Sequence, residues 1–198
     1  MAAIPVTTDV SIRSEVDEMV YAAKSAFGRV DIMVNNAGFT HRNGSMLDVD
    51  EATFDLIAGV NMKAIYYAAR AVVPIMERQG GGSIITTAST AGLRPRPGLT
   101  WYNASKGWTI TATKSMAVEL GRHGVTANCI CPGPIDTAMT AAIPDGAKQT
   151  YAHRRVPLRR YGSPEEVAHM TLSLCLPAAS YVNGAIIPVD GGMSIRHT

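Results

Sequence analysis

Cysteine is scarce in this chain of 198 residues: Cys129, Cys131 and Cys175 are the only three. An odd number without a CxxC pair argues against a disulfide framework and a zinc site, and fits a reducing compartment. No apolar run approaches the ~20 residues that a bilayer span needs, and the N-terminus lacks the layout of a secretory signal. Excess charge is missing too: 18 Lys and Arg stand against 16 Asp and Glu, a formal balance of +2. That near-neutrality offers no footing for nucleic acid or a membrane surface. The five histidines, at 41, 123, 153, 169 and 197, are scattered without ligand spacing, so no metal is assigned. Also absent is a glycine-rich turn that leaves a strand and opens a helix; Gly80-Gly81-Gly82 follows a helical stretch instead.

Hydrophobic residues make up 46% and charged residues 17%, so a sizeable core is expected and disorder is not. The size fits one domain over residues 1–198, cytoplasmic by these exclusions. Strand-like and helix-like segments alternate. Ala3 to Thr8 is β-capable, and Val16, Met19, Val20, Ala23 and Phe27 recur at helical spacing before Gly28. Val30 to Val34 reads as a buried strand, closed by Asn35-Asn36-Ala37-Gly38. One long helix is expected from about Asp50 to Gln79, a strand over Ser83 to Thr87, and a loop over Ala88 to Gly98. A second long helix spans roughly Leu99 to Arg122, with a strand over Val125 to Cys131 ended by Pro132-Gly133-Pro134. Ser163-Pro164-Glu165-Glu166 is a capping box with proline at the first helical position, and Ala185 to Val189 is a last strand. This alternation means a doubly wound α/β fold with a parallel sheet, whose ligands bind beyond the carboxyl ends of the strands.

The residues with chemical potential sit at those ends. Tyr102 and Lys106 are one helical turn apart on a common face. A free phenol has a pKa near ~10, and a neighbouring ammonium favours the phenolate, which makes a usable general acid/base. Ser89 closes a strand thirteen residues earlier and can hydrogen-bond an oxygen facing that phenol. Asn61 falls on the apolar stripe of the long helix, where a buried amide needs partners, either a tie to backbone or a fixed water. Asn36, Ala37 and Gly38 leave room for a ligand to approach the backbone, as do Pro132 and Gly133, with Thr137 four residues past that glycine.

In this order and at these spacings the residues resemble the short-chain dehydrogenase/reductase family over essentially the whole chain. The resemblance rests on Asp9-Val10, Asn35-Asn36-Ala37-Gly38, Asn61, Ser89, Tyr102-x-x-x-Lys106, Pro132-Gly133-x-x-x-Thr137, Gly162-Ser163-Pro164-Glu165-Glu166 and Val189-Asp190-Gly191-Gly192. It implies a Rossmann-like doubly wound sheet and NAD(P)-dependent hydride transfer between nicotinamide and a secondary alcohol or carbonyl. Within it, Tyr102 trades the proton, Ser89 steadies the substrate oxygen, Lys106 lowers the Tyr102 pKa and bonds the nicotinamide ribose, and Asn61 holds a relay water. Asp9 and Val10 are implied at the adenine, and Asn36, Ala37 and Gly38 at its ribose. Pro132, Gly133, Ile135 and Thr137 are implied as the nicotinamide clamp, with Asp136 to Tyr161 as a substrate lid. The substrate is implied to be 3-oxoacyl or sugar/polyol-like, and the assembly a homotetramer or dimer without nucleic acid or membrane.

The missing glycine-rich turn departs from the family pattern. The chain reads as N-terminally truncated, with the first two strands and helices absent, roughly 50 residues. Two expectations follow. Cofactor affinity falls without pyrophosphate donors, so the alternative is a non-catalytic remnant that only oligomerises. And the strand over Val30 to Val34 becomes a bare edge, beside which Ala3 to Thr8 re-pairs, or from which it is displaced or disordered. Arg154, Arg155, Arg159 and Arg160 cluster as a solvated lid edge, or as a contact for an acidic carrier or phosphorylated substrate.

Overall fold

The computed structural model describes residues 3–141 and 143–196. In chain order the elements are α1 (Arg13–Phe27), β1 (Ile32–Asn35), α2 (Glu51–Ala58), a π-helical turn (Gly59–Lys63) and α3 (Ala64–Gln79). There follow β2 (Gly82–Thr87), α4 (Thr90–Leu93), α5 (Thr100–Leu120), β3 (Val125–Pro132), α6 (Asp145–Arg155), α7 (Pro164–Cys175) and β4 (Ile186–Val189). The four strands form one parallel sheet in the order β1-β2-β3-β4, so all their carboxyl ends lie along the same sheet edge.

Side-chain alternation along the strands divides the core between the two faces. Ile84 of β2 joins Val125 and Ala127 of β3 against Val16 and Val20 of α1, Val72 and Met76 of α3, and Ala117 and Leu120 of α5. Ile85 and Ile130 point the other way and pack on Leu174 of α7. Helices thus cover both faces, as the doubly wound reading expects. The α7 layer stops short of β1: Met33 is buried toward α1 and α3, while Ile32 and Val34, on the opposite face, are 42% and 41% exposed.

Three local expectations are corrected. Ala3 to Thr8 joins no ladder; it runs irregularly and largely exposed, so the displaced outcome is the one found and re-pairing is not. Among the described residues, β1 therefore pairs with β2 alone. The helix expected from Asp50 to Gln79 is broken into α2, the π turn and α3. Its start is as expected, the Asp50 carboxylate accepting from the Thr53 N–H at 2.7 Å. The break falls where Gly59 lies close enough to Ser11 that a Cβ would sit 3.3 Å from the serine's, and where Asn61 is drawn into side-chain bonds. Finally, the loop expected over Ala88 to Gly98 contains α4, capped by the Ser89 hydroxyl, which accepts from the Ala91 N–H at 3.1 Å.

The capping box of α7 forms as written. Ser163 Oγ accepts from the Glu166 N–H at 3.3 Å, and Glu166 Oε2 accepts from the Ser163 N–H at 2.8 Å. The preceding segment holds α6 and is closed at its base by a bridge between Ile135 and Gly162. It is pinned on itself by Lys148 and Asp136, 2.7 Å apart.

Candidate active site

The end of β2 and the first turns of α5 bring Ser89, Tyr102 and Lys106 together. Lys106 projects inward, only 4% exposed, and its Nζ donates to the Thr87 carbonyl at 2.9 Å while lying 5.8 Å from the centre of the Tyr102 ring. Burial pulls its pKa down to about 8, a shift partly opposed by the nearby Cys129 and Cys131. The Tyr102 phenol moves the other way: burial raises it, opposed by the Ser89 hydroxyl and, from farther off, by Arg96. The ammonium was expected to dominate this balance. Instead its head is engaged by the Thr87 carbonyl and desolvation of the phenol wins, so Ser89 is the group that favours the phenolate in this state.

Asn61 is 1% exposed and fully committed. Its Oδ1 accepts from the Phe39 N–H at 2.8 Å, and its Nδ2 donates to the Phe39 carbonyl at 2.9 Å and to Ser105 Oγ at 2.9 Å. The side chain is therefore the tie to backbone, not free to hold a water. Ser105 Oγ in turn donates to the Tyr102 carbonyl at 2.7 Å, and Thr109 Oγ1 donates to the Ser105 carbonyl at 3.0 Å. The loop after β1, the π turn and α5 are thereby fastened around Tyr102. Ser105 and the Thr87 carbonyl escaped the sequence reading. A signal for Ser105 was present: Ser105, Thr109 and Thr113 recur every fourth residue, a buried polar stripe on a helix, which needs partners.

Gly38 closes the wall of this site. A Cβ there would lie 3.5 Å from Lys106 Nζ and 3.8 Å from Asn61 Oδ1, so the glycine leaves the ammonium accessible to a ligand along the backbone. Asn36 is close by, its Oδ1 accepting from Thr87 Oγ1 at 3.1 Å. At the end of β3 the reason for glycine is different. A Cβ on Gly133 would come within 2.7 Å of the Asp190 Cβ, so its small size serves the approach of β3 to the tail of β4. Pro132 holds α4 through its carbonyl, which accepts from Thr90 Oγ1 at 3.2 Å. Ile135 and Thr137 lie where the segment leading to α6 leaves the sheet, and the Thr137 N–H donates to Thr140 Oγ1 at 3.0 Å. Asp9 and Val10 are occupied by the fold: Asp9 Oδ1 accepts from the Ser11 N–H at 2.9 Å and from its hydroxyl at 2.7 Å, while Val10 packs on the core.

Of the four arginines, Arg160 is spoken for, its guanidinium forking onto both Glu166 carboxylate oxygens at 2.7 and 2.8 Å. Among the described residues no three or more His, Cys, Asp or Glu side chains gather as a metal group, and no helix is long and apolar enough to cross a membrane.

The family model described as enoyl-(acyl carrier protein) reductase matches residues 1–194. A 3-oxoacyl-[acyl-carrier-protein] reductase of Thermotoga maritima is 39% identical over 191 residues, which cover 96% of this chain and 77% of that one. The chain belongs to the short-chain dehydrogenase/reductase family. A 4-formylbenzenesulfonate dehydrogenase of Comamonas testosteroni is 40% identical over 198 residues, 98% of this chain and 78% of the relative. Among solved structures, a 3-ketoacyl-(acyl-carrier-protein) reductase from Brucella melitensis complexed with NADH superposes with a TM-score of 0.90 at 36% identity, covering 96% of this chain and 78% of that one. An L-sorbose reductase from Gluconobacter frateurii, complexed with NADPH and L-sorbose, gives 0.88 at 33% identity, over 95% and 75%. The family is one of oxidoreductases.

Proposed function

We propose that this protein is an NAD(P)-dependent oxidoreductase that interconverts a secondary alcohol and its carbonyl. The observation that carries this reading is the convergence of the Ser89 hydroxyl, the Tyr102 phenol and the buried Lys106 ammonium at one sheet edge. A bound nicotinamide nucleotide supplies or accepts the hydride. The chain's own part is the proton. Tyr102 delivers it to, or removes it from, the reacting oxygen, and Ser89 holds that oxygen by a hydrogen bond. An ammonium has three donors, and Thr87 uses one of those on Lys106, which leaves the others for a ribose hydroxyl reaching in past Gly38. Asn61 acts through position: its side chain locks the loop to α5.

The nicotinamide-ribose end fits the residues present, because a buried, incompletely paired amine faces a glycine wall. The remaining assignments follow the family pattern: Asp9 and Val10 at the adenine, Asn36 and Ala37 beside its ribose, and Pro132, Gly133, Ile135 and Thr137 around the nicotinamide, under a lid from Asp136 to Tyr161. The relatives' names point to 3-oxoacyl or sugar-like substrates. We place the protein in the cytoplasm as one domain, assembling as a homodimer or homotetramer through the α2–α3 and α5 helices and β4.

Titration with NADH and NADPH tests the reading through nicotinamide fluorescence. Saturable binding is expected for one of the two, with Tyr102→Phe keeping it and lowering turnover by roughly 10²–10⁴-fold. No saturable signal at millimolar nucleotide overturns the reading in favour of a non-catalytic remnant.

A further inference from the structure

Near Lys106 lie two thiols that the proposed reaction does not use. Cys129 and Cys131 are two residues apart on β3 and so point to the same face of the sheet. Both are fully buried, with their sulfurs 4.0 Å apart. Ala88, Ile110 and Ile186 pack around them as an apolar wall. The Thr113 hydroxyl and the backbone of Ala88 and Ser89 are the polar groups at the pair, and the Lys106 ammonium, bonded to the Thr87 carbonyl, adds its charge from nearby. The third cysteine, Cys175, sits apart on α7, in the cluster on the other face of the sheet.

We propose that Cys129 and Cys131 form a two-thiolate site for one thiophilic d10 cation, with Lys106 as its counter-charge. Soft sulfur ligands select such ions. With thiolate bonds of about 2.3 Å, a linear S–metal–S unit needs sulfurs ~4.6 Å apart and a tetrahedral edge ~3.8 Å. The observed 4.0 Å lies between the two, so small side-chain rotations suffice. Because no third ligand group of this kind gathers among the described residues, the site suits a two-coordinate ion and not zinc.

Binding breaks two S–H bonds, forms two metal–sulfur bonds and releases two protons to solvent; no electron is transferred. With a monovalent ion such as silver or cuprous copper, the buried unit carries one negative charge, which the Lys106 ammonium neutralises. With mercuric ion the unit is neutral and has no need of Lys106. The two thiols take no part in the proposed oxidoreductase reaction, and only Lys106 is shared with it; metal uptake is read without substrate or nucleotide.

The test uses the full chain with Cys175→Ser, titrated with silver nitrate in chloride-free and thiol-free buffer. Both sulfurs are sealed from solvent, so uptake follows local opening and each point is left to equilibrate. The expected result is one silver ion per folded chain, with Cys129→Ala and Cys131→Ala each lowering affinity by roughly 100-fold or more, since one thiolate alone leaves a soft ion half-coordinated. Lys106→Met is expected to weaken silver about tenfold while leaving mercuric ion within about twofold, because only the silver complex leaves a buried charge uncompensated. Two silver ions per chain, no uptake before unfolding, or an alanine variant that keeps full affinity overturns the proposal. Should the alanine variants fail to fold, the stoichiometry in the Cys175→Ser chain and the silver–mercury contrast in Lys106→Met decide it.

Discussion

Lys106 shows what burial demands of a single charged residue. An ammonium only 4% exposed, with one carbonyl partner, is held against its preference for water, and its pKa falls to about 8 from an ordinary 10.5. Between those two values the unfolded chain binds the proton more tightly than the folded one, so stability rises with pH across that window. Below pH 8 the full penalty applies, about 3 kcal/mol at most by linkage. Lys106→Met is therefore expected to stabilise the protein at pH 7 by ~1–3 kcal/mol, and the advantage to shrink as pH rises from 8 to 10.5. Denaturant unfolding of both proteins at pH 7 and 9.5 checks this; a constant difference contradicts the buried-charge account. The same desolvation raises Tyr102, so phenol and amine are each shifted toward the neutral form and their titrations move apart.

At the scale of elements, one helix break positions the site and one helix start secures α7. The π turn at Gly59–Lys63 interrupts what the apolar stripe alone makes continuous, and it carries Asn61 to Phe39 and Ser105. Helical periodicity is blind to such a break, because one extra residue in a turn leaves the flanking stripes looking continuous. The α7 start behaves as its four residues dictate. Ser163→Ala is expected to cost about 1 kcal/mol by leaving the Glu166 N–H uncapped. Chemical denaturation measures it, and an effect under a few tenths of a kcal/mol contradicts the cap's role. The Arg160 guanidinium holds the Glu166 carboxyl down to about 2, so its contribution is present above pH 4.5 and fades as pH falls toward 2.

Across the whole molecule, β1 stands out for its exposed side. Its outer backbone groups have no strand partner among the described residues, and Ile32 and Val34 stand on the face that α7 does not reach. An open apolar edge is a template for pairing with other chains. Val34→Lys is expected to reduce concentration-dependent association while shifting the thermal midpoint by no more than ~3 °C. Light scattering across a concentration series, beside far-ultraviolet circular dichroism, reads both. Association that is unchanged by the lysine places the self-contact elsewhere.

Much of this was legible in the residues themselves, where the signal is local. Gly28 and Ser163 mark helix ends because backbone sterics and capping act within a few positions, and Tyr102 and Lys106 share a face because a helix repeats every 3.6 residues. Alternation of strands and helices was enough for a parallel, doubly wound sheet. The fate of Ala3 to Thr8 was not legible, because β-capability is realised only against a neighbour and none is paired there. Nor was the charge balance at Tyr102. The order of residues brings the ammonium and the phenol together, but only packing determines how much water each loses and that the Thr87 carbonyl engages the amine first. Desolvation is a property of the closed tertiary structure, and no spacing along the chain encodes it.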